Sequence, residues 1–513
     1  MKRNKRQGNT RGLILIQIDG LAGFHLKQAL KSGRMPFVAK LLNTGHLRLH
    51  SLYSGVPSTT PAVQGELFYG IRSSVPAFSF RDHESKKIMR LYEPHAAIKI
   101  EERLQRQSNG LLRGGSSYAD IFSGMADKSH FCTVSLGKKP FWEGIRPAKI
   151  PALIFDYSKI GIKSFFLVGI EAALAAADFF HGVLSGKNIL KELKFIASRI
   201  AVSILLRDLV KTSAVLDIQN DLPVIHLNFL GYDEHAHRRG PSSRFAYWTL
   251  KGIDSAVKEV WKAGQKSKTR AYDIWLYSDH GQEDTQPYAR QCANGFEETV
   301  KAVLTAHAKR QPATDMCADP QGIQSVRSSL LGGRFFQKLF VQWTQFMAED
   351  DNPTITAMGP LGYIYLPDAP GREKKRRLAR LLVKNAGIPL VLIAAGAGRA
   401  IAWNTSGEFT LPDHAAEILG RDHPYREAVT EDLIGLCRHP DAGTFMISGW
   451  RPHKKPITFQ VERGAHGGPG IRETDAFALL PPKIKLVARK RNYLRISDLR
   501  EAAINFLHAS QSE

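Results

Sequence analysis

Three apolar runs that each close on an aspartate constrain the fold more than any other feature of this chain. Leu13–Asp19 is LILIQID, Pro223–Asp233 is PVIHLNFLGYD and Tyr272–Asp279 is YDIWLYSD. Short runs this apolar suit strands buried on both faces. Helical spacing follows the first: Leu26, Leu30, Phe37, Val38, Leu41 and Leu42 recur between Phe24 and Asn43. A long helix opened by Pro241 and Ser242 is predicted after the second. Strands that alternate with helices imply a doubly wound α/β fold, a mostly parallel sheet with helices on both faces.

Further strands are expected at LGYIYLPD (361–368), IPLVLIAAG (388–396), AGTFMISGW (442–450) and DAFALLPP (475–482). The first two flank the basic stretch GREKKRRLARLLVKNAG (371–387), which suits a solvated amphipathic helix. The pattern is irregular over 75–220 and again near 283–357. These are expected as insertions in a core made of 10–74 and 221–513, the first of them a cap.

In open sheets of this kind ligands sit outside the carboxyl ends of the strands. Asp19, Asp233 and Asp279 should therefore share one rim. His237 (YDEHAHRRGP), His280 (YSDHGQ) and His466 (GAHGGPG) are placed to join them. Each motif alone has a plain structural reading, since an aspartate at a strand end is often a helix cap. Their convergence on one rim points to a metal site. An Asp and a His four apart meet one ion if that turn is helical, and Gly281 permits the bend that Asp279-His280 requires. The oxygen and imidazole donors suit zinc, manganese or iron. Cys132, Cys292, Cys317 and Cys437 are scattered, with no CxxC pair. That argues against a thiolate zinc site and fits a reducing compartment.

The stretch GVPSTTPAVQGELFYG, Gly55–Gly70, sets Ser58, Thr59 and Thr60 before a helix expected from about Ala62. A hydroxyl there is either a helix cap or a group held at a natural phosphate seat.

Lys plus Arg number 71 against 48 Asp plus Glu, a net charge of +23. That favours anionic partners: phosphorylated substrates, nucleic acid or an acidic membrane surface. The most membrane-like stretch, Ser164–Gly186, is broken by Glu171 and Asp178. It suits a buried or amphipathic helix better than a span, leaving docking on an acidic membrane open. The basic start of the chain precedes only six apolar residues, too few for a secretion signal, so a cytoplasmic protein is expected.

The pieces QIDG, STTPAVQGELFYG, YDEHAHRRGP, YSDHGQ and GAHGGPG resemble, in order, the alkaline phosphatase superfamily, in particular its type I phosphodiesterase/nucleotide pyrophosphatase branch. The resemblance implies two divalent ions, with zinc the first expectation and manganese or mixed metals the next. It implies that Asp233, His237 and His466 hold one ion, and that Asp19, Asp279, His280 and the nucleophile hold the other. Its Thr-x-Pro pattern places the nucleophile at Thr59, with Ser58 and Thr60 left as cap or loop residues. The sequence departs from the family at Ala236 and Gln282, and His235 offers a competing register. Arg81, Arg238 and Arg239 are candidates for substrate anion contacts. The expected function is a phosphodiesterase acting on a phosphorylated small molecule or phosphodiester through a phosphothreonine. The alternatives are a phosphatase or phosphoryl transferase on a lipid or small molecule, and a nonenzymatic basic protein that binds nucleic acid or membrane. The last leaves the ordered Asp/His set unexplained, so nucleic acid is not the expected partner. Nothing in the sequence sets an oligomeric state.

Overall fold

The computed structural model describes residues 11–136, 201–292, 295–308, 353–396, 398–487 and 491–509. The stretch Ser164–Gly186, Cys317 and most of the expected 283–357 insertion lie outside them.

The strands of the main sheet are β1 (Arg11–Ile18), β2 (Arg48–Tyr53), β3 (Ser116–Tyr118), β4 (Lys128–His130), β5 (Val224–Phe229) and β6 (Ala271–Tyr277). Two later strands complete it, Asp475–Leu480 and Leu494–Arg495. From one edge the order is Leu494–Arg495, β2, Asp475–Leu480, β6, β1, β5, β3, β4. Every neighbouring pair is parallel except the two made by Asp475–Leu480. The chain is thus an α/β protein with a large, mostly parallel central sheet.

The period of two along β1 explains the layers. Leu13 and Leu15 join one apolar cluster, with Val63, Leu67 and Phe68 of a helix at Thr60–Tyr69. Ile14, Ile16 and Ile18 join the other. That second face is covered by α1 (Gly23–Lys31), α2 (Pro36–Asn43) and the helices at Arg207–Gln219 and Arg244–Lys266. The single helical pattern expected over 24–43 is therefore two helices. Gly33 at φ +66 and Pro36 at the start of α2 divide it.

Two features differ from the sequence expectation. Ser116–Tyr118 and Lys128–His130 come from the stretch expected as a cap, yet they extend the main sheet beside β5. Strands of three residues are too short to show a period. Gly115 lets the chain approach, because a Cβ there would sit 2.0 Å from the Val224 carbonyl oxygen.

The second difference concerns the runs at 361–368, 388–396 and 442–450. They do not enter the main sheet. They build a second, six-stranded sheet that is antiparallel throughout. It is packed on both faces, by Leu378, Leu382 and Val383 on one and Val429, Leu433 and Leu436 on the other. An all-apolar run reports burial on two faces and carries no information about strand direction. The basic stretch forms a helix at Arg372–Lys384, with its apolar stripe on this sheet. Among the described residues no helix is long and apolar enough to cross a membrane.

Candidate metal centre

β1, β5 and β6 lie side by side, so the residues just past their carboxyl ends converge. Asp19 follows β1 directly. Asp233 and His237 lie on the helix Gly231–Arg239 after β5, and Asp279 and His280 follow β6. His466 follows the short strand Gly464–Ala465, which pairs with Glu283–Asp284. All these side chains are buried. Ligand atoms of Asp19, Asp279 and His280 lie within 4.8 Å of one another, and so do those of Asp233, His280 and His466. His237 adjoins the second group, with Nε2 3.4 Å from Asp233 Oδ2. The helical Asp-x-x-x-His geometry expected from sequence is present.

The three imidazoles are held alike. Each Nδ1–H donates to a backbone carbonyl: His237 to Gly464 at 3.0 Å, His280 to Gly281 at 2.9 Å and His466 to Ser58 at 2.9 Å. A carbonyl accepts only, so the proton sits on Nδ1 and the Nε2 lone pair points inward. There it faces carboxylates. His280 Nε2 lies 3.3 Å from Asp279 Oδ2 and 3.5 Å from Asp19 Oδ1, and His466 Nε2 lies 3.8 Å from Asp233 Oδ1. Lone pairs set against carboxylates in a buried site need a cation or a proton between them. Thr59 Oγ1, His237 Nε2 and Asp279 Oδ2 are buried with no hydrogen-bond partner. The donor set and its orientation therefore fit divalent metal ions.

The ionisation of the metal-free site agrees. Burial opposes charge on His237, but the carboxylates of Asp233 and Glu462 overcome it and hold its pKa up at about 10. Burial raises Asp279 to about 7, helped by the charge of Asp233. Burial lowers His280, which favours the neutral ring. Protons thus occupy positions that a cation would take.

A second layer of hydrogen bonds orients the candidate ligands. The Asn228 amide donates to Asp19 Oδ2 at 3.0 Å, and the backbone N–H of Gly20 donates to Asp279 Oδ1 at 3.3 Å. The Gln282 amide donates to both the side chain and the backbone carbonyl of Asp233. Glu462 accepts from His237 Nδ1–H at 3.1 Å. Such partners fix ring orientation and raise ligand basicity. Sequence reasoning did not single out Asn228, Gly20 or Glu462. Asn228 lies inside the second apolar run and Gly20 in the piece QIDG, and Glu462 stands four residues before His466, where proximity was the available signal.

Thr59 occupies the cap position of the helix Thr60–Tyr69, with extended backbone (φ −136, ψ 146), yet its side chain makes no cap hydrogen bond. A threonine at that position ordinarily spends its hydroxyl on the first turn; this one does not. Its neighbours are engaged. Ser58 Oγ lies 3.0 Å from the Gly468 carbonyl and accepts the Gly467 N–H at 3.0 Å, tying this loop to the one that carries His466. Thr60 Oγ1 lies 3.3 Å from His280 Nε2. Ser58 is thus a loop tie, and Thr60, expected as a cap or loop residue, faces the site.

His235 Nδ1–H also donates to a backbone carbonyl, that of Gly231 at 2.9 Å, but His235 belongs to neither of the two ligand groups. Arg81 lies on a small hairpin, Ser79–Arg81 with Ile88–Arg90, and its Nε donates to the Lys86 carbonyl of the same hairpin. Arg238 and Arg239 are half-buried at the end of the helix that carries Asp233 and His237.

No protein-family model matches this sequence, and no curated protein does. Among solved structures the chain is similar to two of phosphonoacetate hydrolase from Sinorhizobium meliloti 1021. The complex with phosphonoformate gives a TM-score of 0.43 at 14% identity, and the complex with phosphonoacetate 0.45 at 13%. Both alignments cover 99% of this chain and 100% of the other.

Proposed function

We propose that this chain is a metal-dependent phosphoric-ester hydrolase with Thr59 as its nucleophile. The observation that carries the reading is a buried threonine hydroxyl, unused as a cap, flanked by two residues that touch His466 and His280. Asp233, His237 and His466 would hold one divalent ion, and Asp19, Asp279, His280 and Thr59 the other. Bound divalent ions, zinc first among them, would supply a lowered hydroxyl pKa and neutralisation of phosphoryl charge. The start of the helix behind Thr59 adds the positive end of its dipole, a favourable seat for phosphate. The Thr59 Oγ1–phosphorus bond forms as the bond from phosphorus to the leaving oxygen breaks, and that oxygen takes up a proton. Water then attacks phosphorus, Thr59 Oγ1 leaves, and phosphate or a phosphomonoester departs.

Preference for a diester follows the Thr-x-Pro pattern of the branch that the sequence resembles. Burial of the site suits a small phosphorylated substrate over a polymer. Acid quenching during turnover of an activated ester, followed by peptide mapping, tests the covalent step. Phosphate on Thr59 is the expected result. Phosphate on Thr60 or Ser58 would reassign the nucleophile, and net inversion of configuration at a chiral phosphorus, the mark of a single displacement by water, would remove the intermediate.

A further inference from the structure

The helix Arg244–Lys266 follows the helix that carries Asp233 and His237. It is 23 residues long. Its outward face is basic along its whole length. Arg244, Lys251, Lys258, Lys262 and Lys266 are all exposed. At 100° per residue these five fall within about 40° of one line, and at 1.5 Å per residue the line is about 33 Å long. Trp248, half-buried, and Ser255 are the other residues on it. No carboxylate lies on this face. Asp254 points inward and accepts the N–H groups of Phe37 and Val38, and Lys258 lies in its field. Glu259, on the flank, is taken by Lys211 at 2.8 Å. None of the five cations lies within ion-pairing distance of a described carboxylate. On the other flank, contacts from Tyr247 to Gln28 and from Trp261 to Phe37 bring up α1 and α2. Those helices add exposed Lys27, Lys31 and Lys40.

The basic helix Arg372–Lys384 is a useful contrast. It carries more charge in its sequence, yet Arg376 and Arg380 both pair with Glu408, at 3.1 and 2.9 Å. Its charge is partly spent within the fold, whereas the stripe on Arg244–Lys266 is not.

We propose that the exposed face of Arg244–Lys266, with α1 and α2 beside it, docks the protein on an anionic membrane surface. Charge complementarity carries the choice. Lysines outnumber arginines on the stripe, which suits diffuse attraction to a charged leaflet more than bidentate recognition of single phosphates. Trp248 supplies an amphipathic ring of the kind that settles at headgroup depth. The few large apolar side chains exposed among the described residues, Leu49, Leu205, Val461 and Val487, are not on this stripe. The contact is therefore an adsorption governed by charge and screened by salt.

Vesicle co-sedimentation tests this with the full chain. Phosphatidylcholine vesicles with and without 30% phosphatidylserine are compared at low and high salt. Each cation near such a surface contributes roughly fivefold to partition. Lys251→Gln, Lys258→Gln and Lys262→Gln together should lower binding to the anionic vesicles by about 100-fold. The control removes the same charge elsewhere, with Arg372→Gln, Lys374→Gln and Arg377→Gln, and should lose far less. Unchanged melting and metal content in both variants establish folding. Equal loss in the two variants would reduce the effect to net charge and overturn the proposal. So would absence of binding to anionic vesicles, or tighter binding to duplex nucleic acid at the same salt.

Discussion

Gly20 separates a backbone cost from a cost at the metal centre, because the fold supplies a matched control. Gly20 has φ +69 and Gly33 has φ +66, so alanine at either position costs roughly 1–2 kcal/mol in left-handed backbone alone. Nothing lies within 4 Å of a Cβ built on Gly33. A Cβ on Gly20 would lie 2.5 Å from Asp233 Oδ1. A carbon and an oxygen settle at about 3.3–3.6 Å, so the carboxylate must retreat by roughly 1 Å. Asp233 is a proposed ligand, and displacement on that scale should lower metal affinity by about 10–100-fold. Both variants should melt at lower temperature by similar amounts in the metal-free form. Only Gly20→Ala should lose metal affinity in competition with a chromophoric chelator. Wild-type affinity in Gly20→Ala, at a stability matching Gly33→Ala, would refute the claim that Asp233 holds an ion.

The remaining predictions concern protons, the second layer and the hydroxyls. Since His237 holds a proton below about 10 and Asp279 below about 7, metal must displace both at neutral pH. Affinity should therefore rise with pH, by about tenfold per unit up to pH 7 at the Asp279 site and on toward pH 10 at the His237 site. Calorimetry in buffers of different ionisation enthalpy reads the released protons, and pH-independent binding would contradict the assignment. Glu462→Gln should weaken metal binding by about 10-fold or more through His237, while leaving melting of the metal-free protein little changed. Equal affinity in that variant would deny Glu462 its orienting role. Thr60→Val should reduce turnover by less than about 10-fold and Thr59→Ala by about 1000-fold or more. The reverse order would move the nucleophile to the hydroxyl that lies beside His280.

Much of the centre was legible because strand period and strand ends are local signals. The aspartates that close three buried runs, and the histidines beside two of them, could be placed on one rim before any pairing was known. What sequence withheld was relational. The runs at 361–365, 390–394 and 445–448 look like β1 in composition, yet they pair antiparallel in a sheet of their own. The short strand Ser116–Tyr118 depends on contact with Ile225–Leu227, about 110 residues away. Ser58, Thr59 and Thr60 could be enumerated but not told apart. Their roles differ by which carbonyl or ring each meets, and those partners come from residues 280 and 466–468. Glu462 and Asn228 meet the site only through their hydrogen bonds to His237 and Asp19, so no motif marks them.

The central claim, metal-dependent phosphoryl transfer at Thr59, is tested most directly by hydrolysis of bis-p-nitrophenyl phosphate and p-nitrophenyl phosphate side by side. The protein is stripped of metal, assayed, reloaded with zinc or manganese, and assayed again beside Thr59→Ala carried through the same steps. The account predicts turnover that vanishes on stripping, returns with metal and stays absent in the variant, with the diester the better substrate. Turnover that survives stripping, or that Thr59→Ala retains at the wild-type rate, would contradict it.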